Sequence, residues 1–216
     1  SFNLHDSLLP ENRGHAPINW AIINGYTKTG MTMHSMVEKA DRGEIVGQRE
    51  IDIGFSDSCW DVYLKALDVG EELFNEVLCR LKAGTLTKLT QKHALGTYGA
   101  RRRPPDGIID WNRSAFDLYN WIRALTHPYP GAFTEFMGRR LFIWESLLYE
   151  NCRILGRPGQ MVEGVRTDGL RIATNPGSLL VTRMQLEGEE EMDAQDFAYR
   201  HNFHAGGSFH GPEAIG

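Results

Sequence analysis

Asn3-Leu4-His5-Asp6-Ser7-Leu8-Leu9-Pro10, followed at a distance by Ala40-Asp41-Arg42-Gly43, is the stretch that decides the reading of this chain. Phe2 and Leu4 alternate with Asn3 and His5, as in a strand, and alternation places Asn3 and His5 on one face. Pro10, Arg13 and Gly14 then read as a turn. A carboxamide and an imidazole therefore point the same way at the end of a strand, where the ligand crevices of open α/β sheets lie. Asp41 adds a carboxylate beside a glycine. These three groups suit acyl transfer to an amine. The amide can donate to a developing oxyanion, the imidazole can move a proton, and the acid can orient the imidazole and favour its charged form. Singly, each reads as a turn or surface residue; together they favour a catalytic assignment.

Composition sets bounds on that reading. At 216 residues the chain is long enough for one large or two modest domains. Hydrophobic content of 41% with 24% charged residues predicts a packed core rather than disorder. No apolar run approaches membrane-spanning length, and the first residues match neither a signal nor a transit peptide. Cys59, Cys79 and Cys152 are scattered and odd in number. That argues for reduced thiols in a cytoplasmic setting and against a disulfide frame or a clustered cysteine metal site. The net charge of −5 leans against a nucleic-acid partner, which calls for a basic face.

Periodicity supplies the elements. Thr32–Val37 is strand-like, and Ile45–Ile53 alternates as a strand. Residues 58–82 form the clearest helix, with Ser58 and Asp61 as a capping box and Gly84 as the stop. Residues 83–110 are polar and broken by Gly and Pro. A second helix runs from about 114 to 126. Residues 131–148 read as a hairpin turning near Met137-Gly138-Arg139. Short strands follow at Gly159–Val165, Gly169–Ala173 and Leu179–Gln185, a spacing that suggests a small barrel. Glu187–Asp193 reads as a solvated acidic run. His201, His204 and His210, with Gly206 and Gly207 nearby, read as a mobile tail rather than a metal site.

Residues 2–46, FNLHDSLLPENRGHAPINWAIINGYTKTGMTMHSMVEKADRGEIV, resemble the core of the 10-formyltetrahydrofolate-dependent formyltransferases. The shared order is Asn-x-His, Ser-Leu-Leu-Pro, Arg-Gly, Ala-Pro, Asn-Trp, Gly-x-Thr-x-x-Gly-x-Thr and Ala-Asp-x-Gly. That series is far more specific than any one motif. The likeness continues more loosely to about residue 195. The family includes methionyl-tRNA formyltransferase and the N-formyltransferases of nucleotide-linked amino sugars. It also includes the formyltransferase domain of the enzyme that modifies UDP-4-amino-4-deoxyarabinose. The resemblance implies an α/β fold: the C-terminal part of a Rossmann-like formyltransferase domain (1–90), a linker (91–110), a small OB-like β-barrel (111–200) and a flexible tail (201–216). Relatives carry several βα units before the Asn-x-His strand, which here starts at residue 2. The resemblance therefore implies that the rest of the folate site lies in preceding residues or in a partner.

The resemblance assigns catalysis to Asn3, His5 and Asp41, with no metal and no covalent intermediate. It places Ser7, Leu8, Leu9 and Pro10 along the folate, with Val37, Glu38, Lys39 and Ala40 as the second lining segment. His15 stands where relatives often carry Arg beside the folate, and Asp6 where Gly or Pro is more usual. Arg101, Arg102 and Arg103 fall where arginine lies near the substrate diphosphate in nucleotide-sugar relatives, a role that suits a bidentate fork. Trp121 or Tyr129 would stack on a base. The implied reaction moves a formyl group from 10-formyltetrahydrofolate to the primary amine of a nucleotide-linked amino sugar, in a protein that can pair as a homodimer. Methionyl-tRNA formyltransferase and a catalytically silent nucleotide- or partner-binding module are the alternatives.

Overall fold

The computed structural model describes residues 1–148, 156–163, 165 and 167–209, so Cys152 and His210 lie outside the described residues. The chain divides into two units, Ser1–Arg102 and Arg103–Gly216. The architecture is mixed α/β, in line with the expected Rossmann-like portion followed by a β subdomain.

The first unit contains β1 (Phe2–His5), β2 (Arg13–Gly14), α1 (Pro17–Ile23), β3 (Lys28–Ser35), β4 (Ile45–Asp52), α2 (Cys59–Lys82) and β5 (Tyr98–Gly99). β1, β3 and β4 form a sheet in the order β1-β3-β4, each pair antiparallel. β3 begins four residues earlier than Thr32 and ends at Ser35, leaving Met36 and Val37 exposed. It is buried from Thr29 to His34 because it lies between two strands with covered faces. Met31 packs towards α2, close to Gly70. The alternate residues Gly30 and Thr32 face the loop after β1, and His34 faces Asn3. At Gly30 a Cβ would collide with the Leu8 side chain and with the Arg49 carbonyl.

α2 buries Val62, Ala66, Gly70, Leu73 and Val77, spaced three and four apart, and so presents one apolar face. Ser58 caps it as expected. Its Oγ accepts from the Asp61 N–H at 3.3 Å, and Asp61 Oδ2 accepts from the Ser58 N–H at 2.8 Å. The side-chain and backbone bonds from Ser58 hold the Asp61 carboxyl below its usual range. Cys59, at the first helical position, is fully buried, and burial pushes its thiol up to about 12. β2 and β5 pair in parallel. That pairing ties residues 98–99 to the first unit, and Gln91 is buried there as well. The stretch expected to be a linker therefore contributes its first half to this unit.

The second unit contains α3 (Ala115–Leu125), β6 (Ala132–Phe136), β7 (Arg139–Leu148), β8 (Leu170–Ala173), β9 (Ser178–Leu186), β10 (Met192–Asp193) and α4 (Ala194–Arg200). The sheet order is β10-β9-β7-β6, with β8 also paired to β9. Met137 and Gly138 both take positive φ, 53° and 74°, so the expected hairpin closes through the two-residue turn that suits strand twist. In place of a strand over 159–165, the described residues show isolated bridges at Gln160 and Met161. α4 has no counterpart in the sequence reading. Two expectations change with burial. Phe203 and Phe209, in the presumed tail, are buried and pack with Phe136. The acidic run is also not simply solvated: Glu189 pairs with Arg139 at 2.9 Å and Glu191 with Arg183 at 2.8 Å. Among the described residues no helix is long and apolar enough to cross a membrane.

The Ser58 cap yields a test. Ser58→Ala is expected to cost about 1 kcal/mol of stability through loss of the capping bonds. Chemical denaturation followed by circular dichroism should show the transition at lower denaturant.

Candidate active site

β1 delivers Asn3 and His5, and β3 lies beside it in a register that places Asn3 opposite His34 and His5 opposite Thr32. Cross-strand neighbours on one face meet side by side. The turn after β3 returns Asp41 to the same place. His5 Nδ1 lies 3.7 Å from Asp41 Oδ1, and His34 Nε2 lies 3.4 Å from the same oxygen. The Asn3 amide donates to His34 Nε2 at 3.3 Å. Asn3, His5 and Asp41 are thus brought together, and His34 completes the cluster.

Each ring has one nitrogen committed to a backbone carbonyl, which can only accept. His5 Nε2 donates to the Asn12 carbonyl at 2.8 Å, so Nδ1 is the nitrogen that faces Asp41. His34 Nδ1 donates to the Ser35 carbonyl at 2.9 Å, so Nε2 faces both Asn3 and Asp41. When neutral, His34 accepts from Asn3; when protonated, it donates to Asp41. The expectation that Asp41 orients His5 needs correction. A separation of 3.7 Å is too long for a direct hydrogen bond, and the Asn12 carbonyl fixes the ring instead.

Asp41 is itself tightly set. Its φ is +56°, a left-handed conformation that Asp tolerates better than most residues. Its Oδ2 accepts from the Gly14 N–H at 2.7 Å. Gln91 clamps the turn: its Nε2 donates to the Asp41 carbonyl at 2.9 Å and to the Gly43 carbonyl at 2.7 Å. The amide oxygen of Gln91 accepts from Arg13 at 3.2 and 2.6 Å, and Arg13 is fully buried. Gly43 is needed for clearance, since a Cβ there would lie 1.6 Å from the Ser35 carbonyl oxygen.

A second polar row pins the loop after β1. The Thr32 hydroxyl donates to the Ser7 carbonyl at 2.6 Å and accepts from the Leu9 N–H at 3.2 Å and from Gln48 Nε2 at 2.7 Å. All of its hydrogen-bonding capacity is used. Gln48 Nε2 also donates to the Leu9 carbonyl at 3.0 Å. The Ser7 hydroxyl donates inward to the Glu11 carbonyl at 2.7 Å. Ser7 and Leu9 are accordingly buried, Leu8 and Pro10 half-buried, and His15, Val37, Glu38, Lys39 and Ala40 exposed. Arg101 is exposed, Arg102 lies over the Trp20 ring at 5.2 Å, and the Arg103 N–H donates to Asp106 at 2.6 Å in the second unit. Trp121 and Tyr129 also belong to the second unit, where Trp121 Nε1 donates to the Gly107 carbonyl at 3.3 Å.

The sequence reading missed His34, Thr32, Gln48, Gln91 and Asn12. Thr32 and His34 carried the same alternation signal as Asn3 and His5, but their partners depend on strand register. Gln91 sits in an irregular stretch with no periodicity. Among the described residues, His201 and His204 do not form a metal cluster. His201 pairs with Glu189 at 3.1 Å, and His204 bonds the Asn202 amide oxygen at 2.6 Å.

Asp6 offers a pH test. Burial raises its carboxyl above the ordinary value, and the opposing pull of His5 does not cancel this. A raised folded value favours the native state at low pH, and that advantage is lost as pH rises through it. Asp6→Asn removes the charge and should therefore be more stable than the parent at pH 7. The gap should close as pH falls below the ordinary value of 3.8, and paired denaturation curves across pH would show it.

Two family models match this chain: formyl transferase over residues 1–78 and formyl transferase, C-terminal domain, over residues 102–202. Solved structures with the same fold include HypX from Aquifex aeolicus in complex with tetrahydrofolic acid, at 19% identity and TM-score 0.70, over 91% of this chain and 34% of that one. The N-formyltransferase from Helicobacter canadensis, complexed with folinic acid and dTDP-3-aminofucose, matches at 23% identity and TM-score 0.68, over 83% and 65%. Methionyl-tRNA formyltransferase from Clostridium thermocellum matches at 24% identity and TM-score 0.57, over 69% and 64%. The chain thus spans between a third and two thirds of these relatives.

Proposed function

The chain belongs to the formyltransferase family, and from that premise we propose that it transfers a formyl group from 10-formyltetrahydrofolate to the primary amine of a nucleotide-linked amino sugar. The observation that carries this reading is the convergence of the Asn3 amide, the His5 and His34 imidazoles and the Asp41 carboxylate on one face of the β1-β3 pair. The bound folate supplies an activated formyl carbon. Met36 and Val37 expose apolar surface, and Leu8, Pro10 and Val37–Ala40 are the residues that would line the folate.

Each group then has a task set by its bonds. The Asn3 amide carries a second N–H to stabilise the oxyanion that forms when the amine attacks. His5 would take the ammonium proton at Nδ1, because Nε2 is bound to the Asn12 carbonyl, and return it to the folate nitrogen that leaves as its bond to the formyl carbon breaks. The gap of 3.7 Å to Asp41 suits a proton donor that bonds to both groups at once. Asp41 balances the imidazolium charge. The acceptor class is supported by the solved relative with dTDP-3-aminofucose and by the chain's negative charge.

Folate release measured with a panel of UDP- and dTDP-linked 3-amino and 4-amino sugars tests the proposal. Turnover is expected with at least one. Asn3→Ala should lower it by roughly 10²–10³, the usual cost of removing an oxyanion donor. His5→Ala should lower it comparably while nucleotide affinity is kept. Unchanged rates in both variants would reject the assigned roles. Salt-sensitive, selective retardation of initiator tRNA would point to the nucleic-acid alternative.

A further inference from the structure

Asn12 holds a polar group that the chemistry above leaves unused. The residue is 5% exposed, and both of its backbone polar atoms are bonded: the N–H donates to Thr97 Oγ1 at 2.8 Å and the carbonyl accepts from His5. Its carboxamide makes no hydrogen bond among the described residues. The carboxamide atoms are not sealed away from solvent, so they stay open to a partner entering from outside. Asn12 lines a cavity of about 270 Å³ within the first unit, walled by Trp20, Tyr26 and Tyr98 with Asn24 and Thr97. Trp20 is held in place by donating Nε1 to the Ala100 carbonyl at 2.9 Å, with the Arg102 guanidinium over its ring. Arg42 Nε donates to the Tyr98 hydroxyl at 2.6 Å. The cavity therefore combines aromatic walls, the Asn12 carboxamide and two guanidinium groups at its aromatic rings.

We propose that this cavity seats a planar heterocycle bearing a donor and an acceptor side by side, the base of the nucleotide-linked substrate, with the Asn12 carboxamide reading the ring edge. The inference rests on the formyl-transfer reading for the identity of the substrate. A carboxamide presents one N–H and one C=O in a plane, which matches an imide or amidine edge in the same plane. The aromatic walls supply stacking surface. The volume suits one ring system, and the guanidinium groups favour an attached phosphate over a neutral ring. Asn12 also links the cavity to the reaction centre, because its own carbonyl holds His5. The pterin of the folate shares this edge chemistry, so the test must separate the two.

Isothermal titration of the full chain with UDP, dTDP and folinic acid does so, repeated on Asn12→Gly and Tyr26→Leu. Glycine keeps the positive φ of 50° and the carbonyl that holds His5, and removes only the carboxamide. Nucleotide affinity should fall roughly 5-fold or more in Asn12→Gly, the usual worth of one or two hydrogen bonds, and should also fall in Tyr26→Leu. Folinic acid affinity should not change. Loss confined to folinic acid, equal nucleotide affinity in all three proteins, or no nucleotide binding at all would overturn the assignment. Thermal melts of both variants show whether either has unfolded, and the intact one then decides. The two readings fail separately. Nucleotide binding that depends on Asn12 without formyl transfer to any amino sugar would sink the activity and leave the pocket. Transfer with nucleotide affinity indifferent to Asn12 would do the reverse.

Discussion

A carboxylate that is only 12% exposed must find donors, and the way Asp41 finds them organises the first unit. One oxygen takes the Gly14 N–H and the other faces two imidazoles. The backbone carbonyl is held by Gln91, which is in turn held by the buried Arg13. None of these partners is a neighbour in sequence. They reach Asp41 from four segments: His5 from β1, Arg13 and Gly14 from β2, His34 from β3, and Gln91 from the stretch before β5. A loop with a left-handed residue at its tip would otherwise be free to move. Here four segments over-determine it.

The same logic explains the loop after β1. Backbone groups of a surface loop normally turn to water, but residues 7–9 run over the sheet and must be satisfied by side chains. Thr32 and Gln48, one from the central strand and one from its neighbour, do this by register: Thr32 lies opposite His5 on one side and Gln48 on the other. The sheet thus carries a polar row across its face at the level of His5. The Thr32 hydroxyl is fully matched and Gln48 Nε2 makes two bonds, and a matched buried network is rigid. It holds the loop after β1 in place.

What was legible in the sequence was whatever followed from local periodicity or from the order of motifs. The α2 cap, the β6-β7 hairpin and the pairing of Asn3 with His5 on one face all rest on spacing, and all appear where expected. The misreadings have physical causes. His34 was hidden because its importance comes from lying opposite Asn3, and a register is set by two strands together. Gln91 looked like linker because burial by distant contacts leaves no periodic trace. The end of the second unit looked mobile because Gly206 and Gly207 suggest freedom, while Phe203 and Phe209 carry enough apolar surface to prevail. The glutamates near 190 looked solvated because their arginine partners come from other strands. Asp41 was assigned to hold His5, a role that fell to a carbonyl whose place only the folded loop reveals.

The clearance at Gly43 reaches further than the turn itself. The carbonyl that a methyl group there would strike, that of Ser35, is also the acceptor that commits Nδ1 of His34 to carrying a proton. Shifting that carbonyl would free the ring to exchange tautomers, and the nitrogen turned towards Asn3 and Asp41 would no longer be fixed as the acceptor of the neutral ring. The bareness of one α-carbon therefore governs the tautomer of an imidazole on the neighbouring strand. A residue with no side chain can be as chemically decisive as those that bear the functional groups.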